Sequence, residues 1–323
     1  MPDKSIESAF DKAEVWPPLP YEDWQDSCTT LHLWTQIIGK IRLALTPWVN
    51  HSWHVPLYVN STGLTTGPIH YGGGAFQFDL NFVEHVLWLR TSEGHFRQIM
   101  LSPMPVAAFH KAVFADLDLL GIDVAIDNMP SEIAEAIPFT EDWKHGAYDR
   151  DAVHRFWRVL LTAHRMLSLF RTSFLGKVSP VHFFWGSFDL VVTRFSGRRA
   201  PLHPGGIPNL PDAVTREAYS HEEISSGFWP GGGGVVNEPT FYSYIYPAPP
   251  GYDSATVQPA EAYFHKSLGE FVLPYDAVRK AADPEAALMA FLQSTYDVAA
   301  DLAKWDRANL ECERGEPGRP RPV

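Results

Sequence analysis

Residues 179–198 read SPVHFFWGSFDLVVTRFSGR. Ten of the fifteen positions from Val181 to Phe195 are apolar, aromatic or β-branched, the composition of a buried strand pair. Side chains alternate between the two faces of an extended strand. His182, Phe184, Gly186, Phe188, Leu190 and Val192 then share one face. Phe183, Trp185, Ser187, Asp189, Val191 and Thr193 share the other, unless a bulge at Gly186 resets the register. The second face sets Ser187, Asp189 and Thr193 beside Trp185. A buried carboxylate needs a cation or several donors, and Arg171, Lys177, Arg194 and Arg198 are the local sources. Two readings stay open: a polar face that meets a ligand, or a network satisfied internally or by solvent.

Outward from this stretch the chain divides into short strands and long helices. The polar, Pro-rich residues 1–26 read as an extended leader lying over the body. Thr29 or Thr30 offers an N-cap for a helix over about 30–46, with Leu33, Ile37, Ile38, Ile41 and Leu45 at helical spacing and Pro47 as its stop. HVPLYV (54–59) reads as a strand. HVLWLR and HFRQIML flank the turn signal Thr91–Gly94 as a hairpin. Ser102 and Pro103 read as N-cap and first helical position, Val106 to Leu120 as the helix and Gly121 as its end, and IDVAI (122–126) reads as a further strand. Residues 128–150 are an acidic, Pro-rich connector. A helix over 151–174 carries Phe156, Val159, Leu160, Ala163, Leu167 and Phe170 on one face. Residues 197–217 read as a loop, AYSHEEIS and FYSYIY as strands, FWPGGGG as a flexible loop, and LGEFVLP as a strand. Asp283–Pro284 caps a helix over 284–310, and residues 311–323 read as a disordered tail.

The order of elements repeats. HLWTQIIGKIRLAL leads to WHVPLYVNSTGL in residues 27–127, and HRFWRVLLTAHRML leads to VHFFWGSFDLVVTRF in residues 151–310. The expected fold class is α+β: two similar halves, an internal duplication, with mainly antiparallel sheet backed by long helices. His54 and His182 then hold matching positions and face a shared cleft.

With 323 residues, 45% hydrophobic and 20% charged, the chain can bury a substantial core. A net charge of -12 disfavours a general nucleic-acid binder. Cys28 and Cys312 are too few and too far apart for a disulfide framework or a Cys-based zinc site. No apolar run is long enough for a membrane span, and no secretory h-region opens the chain, so a soluble, cytoplasmic protein is expected. The partner expected is a small molecule, not nucleic acid or membrane.

Catalytic motifs are weak. His51 and His54 form H-x-x-H, and His221 precedes Glu222 and Glu223, but HEEIS lacks the second histidine of a zincin helix. No metal site is expected, and no cofactor is identified. Gly186–Ser187 lacks the second glycine of a nucleophile elbow, since Asp189 stands in its place. The glycines 231–234 lack the Lys-Ser/Thr of a phosphate loop; with Phe228, Trp229 and Pro230 they suit a mobile flap or a plain surface loop. Lys40 and Arg42 could hold an anion or snorkel. Tyr242, Tyr244 and Tyr246 share a strand face.

The stretch 179–198, with TLHLWTQIIGKIRLAL, NHSWHVPLYV and GFWPG, resembles the bacterial domain-of-unknown-function family 5996 from Trp16 to about Glu311. That resemblance implies a stand-alone protein of this size and carries no activity, cofactor or catalytic residue. The residues themselves lead to a pocket between the halves. Its expected acid/base set is His182, Asp189, His221 and Glu222. Its expected ligand contacts are His54, Tyr58, Lys177, Trp185, Ser187, Thr193, Arg194, Trp229 and Tyr244, with Arg194 or Lys177 holding an anionic group. A small-molecule enzyme, a non-catalytic binder and an interaction protein with a purely aromatic core remain as readings. Oligomeric state is unknown at this level.

Overall fold

Thr91–Gly94 joins two antiparallel strands, as its turn chemistry requires, and the first sheet grows from them. In the computed structural model, residues 15–232 and 236–321 are described. The first sheet comprises β1 (Tyr58–Val59), β2 (Gly63–Thr65), β3 (Ile69–Tyr71), β4 (Gly74–Asn81), β5 (Val86–Thr91) and β6 (Phe96–Met100). Its order is β1-β2-β4-β5-β6, with β3 also paired to β4. Helices α1 (Gln25–Leu45) and α2 (Val106–Leu119) accompany it. The second sheet comprises β7 (His182–Phe184), β8 (Asp189–Arg199), β9 (His221–Trp229), β10 (Thr240–Tyr246), β11 (Tyr263–His265) and β12 (Glu270–Pro274), in the order β11-β12-β10-β9-β8-β7. The fold is therefore α+β, with two antiparallel six-stranded sheets. Helices α3 (Arg150–Arg171) and α6 (Pro284–Leu302) cover one face of the second sheet, and α4 (Asp212–Ala218) lies near the other. Short helices α5 (Tyr275–Arg279) and α7 (Arg307–Leu310) complete the set.

Caps and breakers set several of these bounds. Asp149 and Asp283 each accept from a backbone N–H three residues on, Ala152 and Ala286, both at 3.0 Å. Helix α1 begins earlier than its threonines suggest. Thr29 and Thr30 bond back to the carbonyls of Gln25 and Asp26 and so lie inside the helix. Helix α2 starts at Val106 behind Pro105, not at Pro103. Residues 122–126 form no strand, residues 212–217 of the expected loop are helical, as is Ala218 of the expected strand after it, and the last long helix stops at Leu302. Phe228 and Trp229 belong to β9, while Gly233, Gly234 and Val235 lie outside the described residues. Leu19 and Trp24 of the leader are buried, and Pro17 accepts from the Tyr275 hydroxyl; residues 1–14 lie outside the description. Beyond α7, Gly315 N–H reaches Thr172 at 3.0 Å.

The stretch 179–198 is a hairpin rather than one extended run. Trp185–Phe188 form its turn, with Phe188 in the left-handed region at φ 61°. The turn resets the register. His182 faces Val191 and Phe184 faces Asp189 across the pair, so His182 and Phe184 share a face with Asp189, and Phe183 shares one with Leu190. The hairpin also joins the sheets: Leu57 and Phe183 exchange both backbone hydrogen bonds at 2.9 Å. In the alignment that matches His54 with His182, Phe183 is the counterpart of Val55, and Trp185 Nε1 donates to the Val55 carbonyl at 3.0 Å.

Candidate functional site

One face of the second sheet is apolar and meets the helices. Leu190, Val192, Ile224, Phe228, Phe241, Phe271 and Leu273 are all buried in the main core. Alternation sends the neighbours to the opposite face: Asp189, Val191 and Thr193 of β8, Glu223 and Ser225 of β9, Tyr242 and Tyr244 of β10, Glu270 and Val272 of β12. These residues floor two adjoining lobes. The first, about 460 Å³, is closed from above by Lys40 of α1, Trp48 and the turn His51–Val55. The second, about 680 Å³, reaches Cys28, His32, Trp229 and Glu270. Glu132, Gly186, Ser187, Asp189, Tyr219, Tyr242 and Tyr244 line both. The site thus draws on both halves and on the connector between them.

Asp189 stands at the junction, 8% exposed. Its Oδ2 accepts from the Tyr242 hydroxyl, and its Oδ1 has no protein partner. Gly227 makes this pairing feasible. It lies between Val191 and Tyr242 in the sheet, and a Cβ there would sit 2.5 Å from the Tyr242 hydroxyl. Burial pushes the Asp189 carboxyl up to about 6, while its bond from Tyr242 and the nearby Ser187 hydroxyl pull it down. Burial, then the Asp189 charge, raise Glu132 to about 7. The same two causes raise Glu270 to about 8. Glu223, 6% exposed, is raised well above the carboxylate range by burial, with Lys177 opposing.

Aromatic rings and two histidines complete the walls. Tyr242 and Tyr244 stack with their planes 13° apart, and the Tyr244 and Tyr219 hydroxyls meet at 3.0 Å. His51 Nδ1 lies 2.7 Å from the Ala218 carbonyl, so that nitrogen carries the hydrogen and the buried Nε2 offers a lone pair with no partner. His54 Nε2 is likewise buried and unpartnered. Both imidazoles are held below their usual range, first by burial. Lys40 is committed elsewhere: its Nζ donates to the Met129 carbonyl at 2.7 Å and faces Asp127 at 3.5 Å.

Backbone strain gathers here too. Seven described residues other than glycine have positive φ: His51, Ser52, His85, Glu132, Phe188, Asn209 and Lys304. All but His85 and Lys304 line one lobe or the other. Such conformations cost on the order of 1–3 kcal/mol each and concentrate at functional sites.

The lobes take in Asp189, His54, Trp185, Ser187, Thr193, Trp229 and Tyr244 from the sequence reading. His182, His221, Glu222, Tyr58, Lys177 and Arg194 line neither. His182 packs among Trp53, Tyr58 and Phe184, its imidazole driven down to about 3 by burial and then by Arg42 and Arg171. His221 stands beside His51, ring centroids 5.8 Å apart. Glu222 is paired with Arg198 at 2.6 Å. Lys177 covers the rings of Trp53 and Phe195, and Tyr58 lies under Arg42. Arg194 projects from the helix-facing side of β8. It is 1% exposed, lies over Phe170 and Tyr296, and donates to Ser173 Oγ at 3.0 Å.

The lobes also hold Glu132, Tyr219, Glu223 and Glu270, which belong to neither the expected acid/base set nor the expected ligand contacts. Glu223 was legible: Ile224 and Phe228 must face the core, which sends Glu223 to the cavity side. Glu132 gives no local signal, because its position depends on the path of the connector. Among the described residues no group of three or more His, Cys, Asp and Glu side chains is placed to hold a metal ion, and no helix is long and apolar enough to cross a membrane. Comparison with curated proteins and with solved structures gives no match. The family model described as a family of unknown function, DUF5996, matches residues 16–312, and the chain belongs to that family.

Proposed function

We propose that the two-lobed cavity binds a small organic molecule and that the Asp189 carboxyl exchanges a proton with it. The observation that carries this reading is the state of Asp189: enclosed, fixed through one oxygen by Tyr242, without a hydrogen-bond partner at the other, and lining both lobes. A general acid or base has to sit within hydrogen-bond reach of its substrate with an affinity for protons near the working pH. Asp189, at about 6, meets the second requirement, and Glu132 beside it, at about 7, can supply or take the second proton of a cycle. His32, His51 and His54, rather than His182 and His221, are the imidazoles that border the space. Cytoplasmic residence accords with this reading.

The test is untargeted mass spectrometry of a metabolite extract incubated with the wild-type protein and with Asp189→Asn. Wild-type-specific loss of one compound and gain of another, absent with the variant, is expected. Conversion undiminished in Asp189→Asn would remove the carboxyl from the chemistry. Retention of a compound without conversion favours a second reading, a non-catalytic carrier, which the largely preformed cavity also suits.

A further inference from the structure

We propose that the ligand of this cavity is an organic cation, a protonated amine or quaternary ammonium, with its nitrogen at the junction of Glu132, Asp189 and Tyr242. The inference rests on reading the cavity as a ligand site and adds the charge and chemical class of what enters.

Three independent observations support it. The first is the balance of charge. Asp127, Glu132, Asp189, Glu223 and Glu270 line the lobes, against Lys40 as the sole Lys or Arg among the described lining residues. Lys40 is already bound to Met129 and Asp127. The nearby guanidinium groups face elsewhere: Arg42 donates to the carbonyls of Pro56 and Thr66, and Arg194 lies on the other side of the sheet. An anionic ligand would meet several carboxyls and no uncommitted cation among the described lining residues; Lys177, which lies over Trp53 and Phe195 and acts on Glu223, lines neither lobe.

The second is the unfilled hydrogen-bonding capacity. Asp189 Oδ1 and His51 Nε2 are buried and lack protein partners, and both residues line the cavity. Ala218 fixes the His51 tautomer, so its Nε2 accepts, as Asp189 Oδ1 does when the carboxyl is ionised. Leaving buried acceptors unpaired costs about 1–3 kcal/mol each, and a ligand rich in N–H donors removes that cost.

The third is the walls. Trp48, Trp53, Trp185, Tyr242 and Tyr244 present aromatic surface to the same space. Cations are attracted to ring faces, most strongly where water is excluded. Carboxyls set among such rings make a cage selective for a positive nitrogen.

Protons report on this directly. In the free site Glu132, near 7, and Asp189, near 6, take up protons as pH falls from neutral, and an arriving cation lowers their affinity for them. Cation binding therefore releases protons and strengthens as pH rises. The groups facing the junction are Asp189 from β8, Glu270 from β12, Glu223 from β9 with Lys177 acting on it, Glu132 from the connector, Tyr219, Tyr242 and Tyr244 as neutral phenols, and Lys40 and His32 from α1. His51 and His54 face it from the turn above. Any protonation of these histidines at low pH opposes a cation and has the same sign. His32, near 4 through burial, is neutral over the range tested.

The experiment compares three probes on the full chain at pH 5 and pH 7: benzyltrimethylammonium, its neutral carbon isostere neopentylbenzene, and phenylacetate. Tryptophan emission reads occupancy through Trp48, Trp53 and Trp185. Calorimetry in buffers of different ionisation enthalpy reads proton release. Cation binding about tenfold tighter at pH 7 than at pH 5 is expected, as linkage to one carboxyl near 6 requires, with protons released and the isostere at least tenfold weaker. Asp189→Asn should reduce cation affinity about tenfold; if that variant fails to fold, the wild-type pH and isostere comparisons decide alone. Equal or tighter binding of phenylacetate or of the neutral probe overturns the charge class while leaving the cavity a ligand site. Emission unmoved by all three probes and by a panel of larger amines and acids overturns the ligand-site reading itself.

Discussion

The Tyr242 hydroxyl donates to Asp189 Oδ2 across the space that Gly227 leaves open in the intervening strand. Two variants separate the components. Tyr242→Phe leaves both Asp189 oxygens without that donor, which should cost about 1–3 kcal/mol and raise the Asp189 pKa further, since the bond from Tyr242 holds it down. Gly227→Ala meets the Tyr242 hydroxyl and the Leu190 carbonyl, so an overpacking loss of about 1–3 kcal/mol is expected. Denaturant unfolding measures both losses, and carboxyl NMR titration reads the pKa.

Asp189 also makes a signed forecast for stability against pH. Folding raises its pKa from 3.8 to about 6, so the folded state holds the proton more tightly. The group is neutral in its effect below about pH 4, opposes folding increasingly between pH 4 and 6, and does so fully above about 6. Asp189→Asn removes that opposition. Relative to wild type it should gain on the order of 2–3 kcal/mol on passing from pH 4 to pH 8. Buried His32 and His182 act in the reverse direction, weakening the fold as pH drops below the usual histidine range, but they are common to both proteins. Paired thermal melts isolate the difference; a gap that stays constant over this range would contradict it.

Arg194 should prove structural. Its guanidinium is enclosed by Phe170, Phe174 and Tyr296 on the side away from the cavity. Arg194→Ala removes that packing and the bond to Ser173, a loss of about 2–5 kcal/mol. Ligand affinity of the folded fraction should not change. A tenfold fall in affinity without loss of stability would place it in the site after all.

Gly39 tests the other wall. A Cβ there would lie 2.3 Å from the Trp185 ring. Alanine improves helix propensity by about 1 kcal/mol, yet displacing a buried indole costs about 1–3 kcal/mol. A small net destabilisation and a larger loss of probe-induced tryptophan quenching are expected for Gly39→Ala.

The fold class, the Thr91–Gly94 hairpin, the Asp283–Pro284 cap and the strands FYSYIY and LGEFVLP were legible because each is set by local chemistry. The faces of residues 179–198 were not, because the turn at Trp185–Phe188 replaces strict alternation and moves His182 to the Asp189 face. Asp189, Trp185, Ser187 and Thr193 point into one space through β8 and its turn, a local matter. Glu132, Tyr219 and Glu270 join them only through long-range packing that no periodicity records. Arg194 was drawn toward Asp189 by nearness in sequence, whereas strand parity sends it to the opposite side.

Glu132 holds a left-handed backbone at φ 65°, fixed by its N–H on the Pro208 carbonyl at 2.8 Å. Glycine would adopt that conformation more easily by about 1–2 kcal/mol, and it would also remove a carboxyl that burial disfavours. If the proposed function holds, position 132 sets durability against chemistry. Selection for a tougher fold alone should drift toward Glu132→Gly and arrive at a protein that melts higher and handles its ligand less well.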